Sequence, residues 1–317
     1  MKTCFSGLSF SSLPFLIICI SWIFFGFVGS DQLSCKETSL EPFEGMPRLP
    51  ILFIGHGGGP LPLIGHEGHA DLIRTWAKGS DVYNSVHSED VKSIIIVSAH
   101  HESKDGKILI MDDEKPQLLF DYGGFPPETY KYKISNPGNR VLANRIASLL
   151  SEAKILHEME SGRGHDHGAF VPLLGLEIPQ KRPSLPVVSI SLPGPADYRN
   201  ANVTNSCFNF GKALASLRSE GVLLMGSGNT FHSFSPVPHV QTAAFDAHLR
   251  SLAQGAGGKD LRNWAEHSAA KACHPRPEHL LPLIVMAGAA AASDPQGLIV
   301  PVPHDFMGNA ASHFIFN

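Results

Sequence analysis

The chain has 317 residues, of which 43% are hydrophobic, and a formal net charge of −4. This length and composition support one sizeable core, and no linker, repeat or charge block marks a boundary, so one domain is predicted. The nearly balanced charge, without a basic stripe, argues against nucleic acid as a partner. The 17 histidines are unusual, because histidine is the commonest metal ligand.

The first thirty residues differ in character from the rest of the chain. Lys2 gives a short positive start, residues 13–29 are almost wholly apolar, and small residues follow at the end of this run. The pattern predicts a signal peptide over residues 1–30, which would direct the chain to the secretory pathway or an organelle. A membrane-anchored chain with an uncleaved signal anchor is the alternative, and membrane contact is expected only through this segment.

The remaining residues, 31–317, alternate predicted strands with predicted helices. Short runs rich in Ile and Val predict buried strands over 50–54, 93–98, 107–111, 187–192, 222–225 and 298–302. Amphipathic or uniformly apolar segments predict helices over 137–153, 204–221, 239–252 and 277–292. We therefore expect an α/β fold, a single domain with a central, mostly parallel or mixed sheet flanked by helices.

Three predicted strands are each followed by small residues and then by a histidine, namely His56, His100 and His232. Ligands of open α/β sheets bind outside the carboxyl ends of the strands, so these three side chains should meet at one edge. His279 is expected near the start of the last helix. His101 should point away from the site, because successive side chains of a strand alternate between its two faces.

This pattern predicts a shared metal site. No cysteine joins the cluster, and imidazole ligands suit zinc, iron, copper or nickel. The candidate ligands are spread over more than two hundred positions, which is typical of an open catalytic site rather than a structural zinc site. The pattern alone leaves a zinc-dependent hydrolase and a non-haem iron oxygenase as alternatives. The other histidines, among them His239, are expected to have capping or hydrogen-bonding roles.

Six segments carry a family resemblance: FIGHGGGP (53–60), VSAHHES (97–103), FDYGGFPPETYKYK (120–133), HDHGAFVPLL (165–174), MGSGNTFHSF (225–234) and HPRPEHLLPL (274–283). With these motifs in this order, the chain resembles the class III extradiol ring-cleavage dioxygenases of the LigB-like superfamily, in particular the DOPA 4,5-dioxygenase group. The resemblance runs from about residue 50 to the C-terminus.

The resemblance implies metal ligands at His56, His100 and His279. Glu278 is the alternative third ligand, although we favour it as a partner that holds an imidazole. The resemblance further implies that His232 is the catalytic acid/base, with a pKa near neutrality, and that His167 lines the substrate pocket.

The implied activity is the cleavage of a DOPA-like catechol with incorporation of both atoms of O2. Fe(II) is the expected catalytic metal, and Zn(II) is the alternative or as-purified metal. A zinc-dependent hydrolase and a non-enzymatic, metal-binding member of the same superfamily are the alternatives to this activity.

Overall fold

An eight-stranded mixed sheet forms the centre of the computed structural model, which describes residues 47–197 and 202–317. The strands are β1 Ile51–Gly55, β2 Ser93–Glu102, β3 Ile108–Met111, β4 His157–Glu160, β5 Val187–Leu192, β6 Val222–Gly228, β7 Ile299–Phe306 and β8 Asn309–Phe316. Their order across the sheet is β4-β3-β5-β2-β6-β1-β8-β7. The central strands β5, β2, β6 and β1 run parallel, whereas β8 and β7 add antiparallel strands at one edge. The predicted α/β fold with a mixed sheet is confirmed.

The described residues also form nine α-helices. They are α1 Ala70–Thr75, α2 Asp81–His87, α3 Arg140–Glu152, α4 His167–Gly175, α5 Ile178–Lys181, α6 Val203–Leu214, α7 His239–Ala253, α8 Ala270–Cys273 and α9 Leu281–Ser293. Helices α3, α6, α7 and α9 contribute to the apolar core on one face of the sheet, and α1, α2 and α4 contribute to the core on the other. No described helix is both long enough and apolar enough to cross a membrane.

Strand β1 shows why the central strands are apolar along their whole length. Ile51 and Phe53 pack into one core, whereas Leu52 and Ile54 pack into the other, and all four are fully buried. Side chains of a strand alternate between faces, so a sheet covered on both sides needs apolar residues at every position. The same requirement accounts for the Ile-rich run of β2.

Two strands were not predicted from the sequence. Strand β4 is short and polar, and strand β8 alternates small, polar and aromatic residues around His313. Strand β8 pairs with both β1 and β7, and it joins β7 through a turn at Met307 and Gly308. Both turn residues have positive φ, 53° and 81°, which is typical of a tight hairpin turn. The six predicted strands are all present, and β2, β6 and β7 extend three or four residues beyond their predicted ends.

The helix predictions were right in position but not in every boundary. Helix α6 ends at Leu214, and the chain continues as the 3-10 helix Ala215–Glu220. Helix α9 begins at Leu281, four residues later than predicted, so His279 lies in the turn before the helix. The predicted signal peptide or signal anchor at residues 1–30 lies outside the described residues.

Helices α6 and α9 are in direct backbone contact. A methyl group at Gly211 would lie 1.8 Å from the carbonyl oxygen of Val285, and one at Gly288 would lie 2.0 Å from that of Phe208. Each helix therefore carries a glycine where the other crosses it. Close approach of this kind fixes the distance of α9 from its neighbour, and α9 leads directly from the segment that carries His279.

We predict that Gly211→Ala lowers the free energy of unfolding by about 1–3 kcal/mol, because the added methyl group forces the two helices apart. Alanine is otherwise the better helix former, so a loss of stability would identify the contact as its cause. Gly123→Ala is the control, since a methyl group there meets nothing within 4 Å. Urea unfolding measures both, and a Gly211→Ala variant as stable as the wild type would contradict this packing.

Because several histidines are buried, we expect the free energy of unfolding to fall on acidification. Burial lowers the pKa of His165 and of His304 to about 4, and that of His274 to about 3. In the unfolded chain each would titrate near its ordinary pKa of about 6.5. Below that pH the unfolded chain binds protons that the folded chain does not, so folding is progressively disfavoured.

We therefore expect the free energy of unfolding to be constant above pH ~6.5 and to fall between pH ~6.5 and ~4, by up to about 1.4 kcal/mol per histidine per pH unit. The urea midpoint, which measures it, should fall over the same range. The fall should be smaller in His304→Gln. It should be unchanged in His239→Gln, because the His239 side chain is exposed. Equal midpoints at pH 7 and pH 5 would show that these histidines are not buried as neutral groups.

Candidate active site and metal centre

The candidate site lies at the carboxyl ends of three neighbouring parallel strands, β1, β6 and β2. Gly55, at the end of β1, pairs with Gly228, at the end of β6, and Ser98 of β2 pairs with Ser227 of β6. His56 follows β1 directly, and its N–H donates to the carbonyl oxygen of Gly228. The histidines therefore lie at the edge of the sheet where the sequence predicted them.

Three imidazoles meet above this edge. The Nε2 atom of His100 lies 3.2 Å from Nε2 of His56 and 3.1 Å from Nε2 of His279. His56 and His279 are 0% and 3% exposed. Burial, and then the charges of neighbouring histidines, lower the pKa of both well below the ordinary value. Burial also lowers the pKa of His100 to about 4, so all three rings are neutral at pH 7.

The partners of these rings leave their Nε2 atoms free to bind a ligand. His56 Nδ1 lies 3.1 Å from Ser227 Oγ, which itself donates to the carbonyl oxygen of Gly168 and so accepts from the imidazole. His279 Nδ1 donates to Glu278 Oε1 at 3.0 Å. A neutral ring that carries its proton on Nδ1 has a lone pair on Nε2, as a metal ligand requires.

The geometry of the three nitrogens fits one metal ion. Two nitrogens bound to one zinc at about 2.0–2.1 Å in tetrahedral geometry lie about 3.3 Å apart. The spacings of 3.1 and 3.2 Å are close to this value. Lone pairs that converge at such distances repel each other unless a cation lies between them. The donor set therefore suits a divalent ion that accepts imidazole, which includes iron and zinc.

A glycine lets the third histidine approach the sheet. The carbonyl oxygen of His279 accepts from the N–H of Asn229, just beyond β6, at 3.0 Å. A methyl group at Gly228 would lie 2.0 Å from that oxygen, so a side chain at this position is excluded. The small residues at the end of β6 thus position His279 as well as making the turn.

Two carboxylates lie behind the imidazoles. Asp121 Oδ1 accepts from Nδ1 of His167 at 2.8 Å, and its Oδ2 lies 3.6 Å from Nδ1 of His100. Burial raises the pKa of Asp121, but hydrogen bonds from His167 and the charges of both histidines outweigh it and leave a lower pKa. Glu278 Oε1 contacts Nδ1 of His279, as expected for a residue that orients an imidazole.

Each carboxylate also belongs to a second group with metal-ligand spacing. His100, Asp121 and His167 form one such group, and His232, Glu278 and His279 form the other. In both groups the carboxylate already contacts the Nδ1 atom of a histidine. The three-histidine group differs in that Nε2 of His100 lies within 3.2 Å of Nε2 of both His56 and His279.

His232 and His167 flank the three imidazoles. The His232 ring is stacked on that of His279, with centroids 3.5 Å apart and planes inclined by 11°. The ring centroid of His167 lies 3.9 Å from that of His100. Burial, and then the charge of His167, lower the pKa of His232 to about 4. The expected pKa near neutrality was therefore wrong, and the ring is unprotonated at pH 7.

All five predicted site residues line one cavity of about 860 Å³, which we call the histidine cavity. Its other described walls come from four segments: the loop after β1, the loop with Tyr122 and Phe125, the loop after β6, and residues 306–309 of the β7–β8 hairpin. His101 faces elsewhere, as predicted. Its Nε2 lies 2.8 Å from a carboxylate oxygen of Glu160 on β4.

Sequence reasoning missed several residues of the site. Asp121 lies in the segment FDYGGFPPETYKYK, but the sequence did not predict its contacts with histidines. Ser227 was predicted only as a small residue at the end of a strand. His239 was expected to be structural, yet it lines the mouth of the cavity. The hairpin wall at Phe306 and Met307 was missed because β8 was not predicted.

Comparisons with known proteins identify the family of this chain. The family described as the catalytic LigB subunit of aromatic ring-opening dioxygenase matches residues 60–312. A 4,5-DOPA dioxygenase extradiol of Beta vulgaris is 30% identical over 255 residues, which cover 78% of this chain and 89% of that protein. A protein of the same name from Escherichia coli (strain K12) is 28% identical over 274 residues, covering 83% of this chain and 92% of that protein.

A solved structure shares the fold. The crystal structure of an uncharacterized protein from Escherichia coli K12 superposes with a TM-score of 0.61 at 24% identity, and the match covers 85% of this chain and 100% of that one. The family match extends over most of the chain and includes the segments that carry His100, His167, His232 and His279. The chain therefore belongs to the family of the catalytic LigB subunit of aromatic ring-opening dioxygenases.

Proposed function

We propose that this protein is a metal-dependent extradiol dioxygenase that opens the ring of a substituted catechol with O2, the class of reaction for which its relatives, the 4,5-DOPA dioxygenases, are named. The observation that carries the proposal is the convergence of three neutral imidazoles in a cavity that also holds His232 and His167. The Nε2 atom of the partly exposed His100 lies 3.1–3.2 Å from Nε2 of the buried His56 and His279. Fe(II) is the proposed catalytic metal, and Zn(II) is the ion that the same nitrogens would retain during purification.

His56, His100 and His279 would hold the metal. Once bound, it would supply Lewis-acid and redox chemistry and keep the two reactants together. His56 and His279 are buried, which shields the side of the site that faces the sheet, whereas the His100 side chain is 23% exposed. Ser227 and Glu278 keep two of the rings oriented, so the site is formed before substrate enters.

The two flanking histidines would handle protons. His232 Nδ1 faces Glu278 at 3.6 Å, which leaves Nε2 as the atom for the substrate, and its low pKa keeps that atom unprotonated. It can accept a proton from a catechol hydroxyl and return it later in the reaction. His167 donates through Nδ1 to Asp121, so its Nε2 can accept a hydrogen bond from the substrate.

Anaerobic reconstitution of the full chain with Fe(II), followed by O2 and a panel of catechols including L-DOPA, tests the proposal. Oxygen uptake together with a coloured ring-opened product is the expected result. Hydrolysis that needs Zn(II) but no oxygen would instead support a zinc-dependent hydrolase. Metal binding without turnover of any catechol would support a non-enzymatic member of the family.

The first mutational prediction concerns the metal. His56→Ala, His100→Ala and His279→Ala should each lose metal after treatment with stoichiometric Fe(II), because each removes one of three converging nitrogens. Glu278→Ala should keep it, since the carboxylate contacts Nδ1 of His279 and not the centre. Metal analysis after desalting measures this, with circular dichroism to check folding.

His101→Ala is the matched control for these variants, because it removes the neighbouring imidazole, which contacts Glu160 instead. It should retain stoichiometric metal. If Glu278→Ala loses the metal while His279→Ala keeps it, the third ligand has been assigned to the wrong residue.

The second mutational prediction separates proton transfer from metal binding. His232→Ala should keep its metal and bind a catechol, yet lose about 10²–10⁴-fold in ring-opening rate, the usual cost of a missing acid/base. Metal content, catechol absorbance and oxygen uptake are the three measurements, with His101→Ala again as control. A metal-free His232→Ala protein would make His232 a ligand, and a wild-type rate would refute its proposed role.

A further inference from the structure

The walls of the histidine cavity are uncharged apart from the histidines themselves. None of the described residues that line it is Lys, Arg, Asp or Glu. The side chains above the histidines are mainly apolar, and they include Leu61, Phe125, Phe231, Val237 and Phe306. Its volume of about 860 Å³ lies towards the upper end of the roughly 300–1,000 Å³ typical of clefts that bury drug-sized ligands. The cavity therefore has room for a large substituent beyond the catechol ring.

The rim of the cavity is also apolar, and it is exposed. The side chain of Phe234 is 97% exposed and that of Met307 is 50% exposed, and both line the cavity. Met307 is held in place at the tip of the β7–β8 hairpin, where its N–H donates to the carbonyl oxygen of Gly68 at 2.9 Å. Large apolar side chains left open at the mouth of a cleft are a feature of ligand-binding sites, where the ligand covers them.

Among the described residues of the wall, the one phenol offers its ring to the cavity rather than its hydroxyl. Tyr122 lines the cavity, but its hydroxyl donates to the carbonyl oxygen of Thr129 at 2.7 Å. The Tyr122 ring lies edge-on to that of His167, with centroids 5.7 Å apart. A substrate thus meets the aromatic surface of this residue, beside the histidine proposed to hold a catechol oxygen.

The described cations near the site lie outside this cavity. Lys104 and Arg276 line a second cleft of about 590 Å³, which borders the histidine cavity because both are lined by His100, His232, Phe234 and His279. Arg276 is paired there with Glu102 and lies 3.9 Å from Glu278. Arg163 is paired with Asp166 at 2.9 Å. No described Lys or Arg therefore lines the histidine cavity itself, and Arg276 at its border already faces two carboxylates. Burial of an ion without a partner is strongly unfavourable.

We propose that the site takes a catechol whose ring substituent is uncharged and largely apolar, in preference to a catechol amino acid or carboxylic acid. This inference rests on the proposed function and specifies its substrate class. The catechol ring would lie over the histidines, and the substituent would extend along Phe125 and Phe306 towards Phe234 and Met307. Burial of that apolar surface provides the binding energy.

A matched pair of ligands tests the inference: dihydroxyphenylpropionic acid and its methyl ester, which differ in charge but little in shape, with L-DOPA as a third. For the Fe(II)-loaded full chain, we expect kcat/KM to be at least about 10-fold higher for the ester than for the acid, the scale on which such pockets discriminate. Calorimetry on the Zn(II)-loaded chain without oxygen should show the same preference in binding.

The two arms separate this inference from the proposed function. If none of the three compounds is cleaved, the proposed function fails for this class, and calorimetry still decides the substrate preference. Equal or tighter binding of the acid or of L-DOPA would overturn the inference, as would failure of all three to bind.

A variant that adds a charge at the rim tests whether the cavity wall sets the preference for the ester over the acid. Met307→Arg should reduce the ester-to-acid ratio about 10-fold, because it places a cation at the rim, whereas Met307→Gln should leave the ratio within a few-fold of the wild type. Leu156→Arg is the matched control, since Leu156 is 71% exposed and does not line the cavity. If Leu156→Arg changes the ratio as much as Met307→Arg does, overall charge sets the preference and the inference is wrong.

Discussion

The parallel pairing of β1, β6 and β2 is the constraint on which the site depends. Because these strands are neighbours and run in one direction, the residues that follow them arrive at one edge of the sheet, although they are far apart in sequence. Small residues at the ends of β1 and β6 then leave room for imidazoles and for the segment that carries His279. The packing of α9 against α6 stabilises the element that follows this segment, so the core on one face of the sheet supports the third histidine.

Burial and hydrogen bonding together prepare the three rings for a cation. Burial keeps them neutral, while Ser227, Asp121 and Glu278 face their Nδ1 atoms. Free lone pairs are thereby directed at one another across 3.1–3.2 Å, an arrangement that favours a bound metal over an empty site. The walls of the histidine cavity are formed by histidines at the sheet edge and by aromatic and aliphatic side chains at the rim. We interpret this arrangement as a division of roles, with chemistry at the sheet and substrate selection at the mouth.

The sequence predicted the parts of this arrangement that depend on local pattern. Apolar runs gave the central strands, and small residues before His56 and His100 gave the edge at which they meet. It also predicted Glu278 as a residue that orients an imidazole, but it did not predict the other residues that hold the rings. Asp121 and Ser227 reach their histidines across 46 and 171 positions, and no local signal marks such pairs. Strand β8 was missed because its small and polar residues are those of an edge-side hairpin. The cavity wall formed by Phe306 and Met307 was missed for the same reason, although it bears on substrate choice.

The central claim is that three imidazoles, and no carboxylate, hold one metal ion and leave positions open for reactants. X-ray absorption of the metal-loaded full chain tests it most directly, because it counts the ligands and identifies imidazole by its multiple scattering. The account predicts three imidazole nitrogens, at about 2.0–2.1 Å for zinc, with the remaining shell filled by exchangeable oxygen. A shell of two imidazoles and one carboxylate would contradict it. Loss of that carboxylate in Glu278→Gln or in Asp121→Asn would then identify the residue that supplies it.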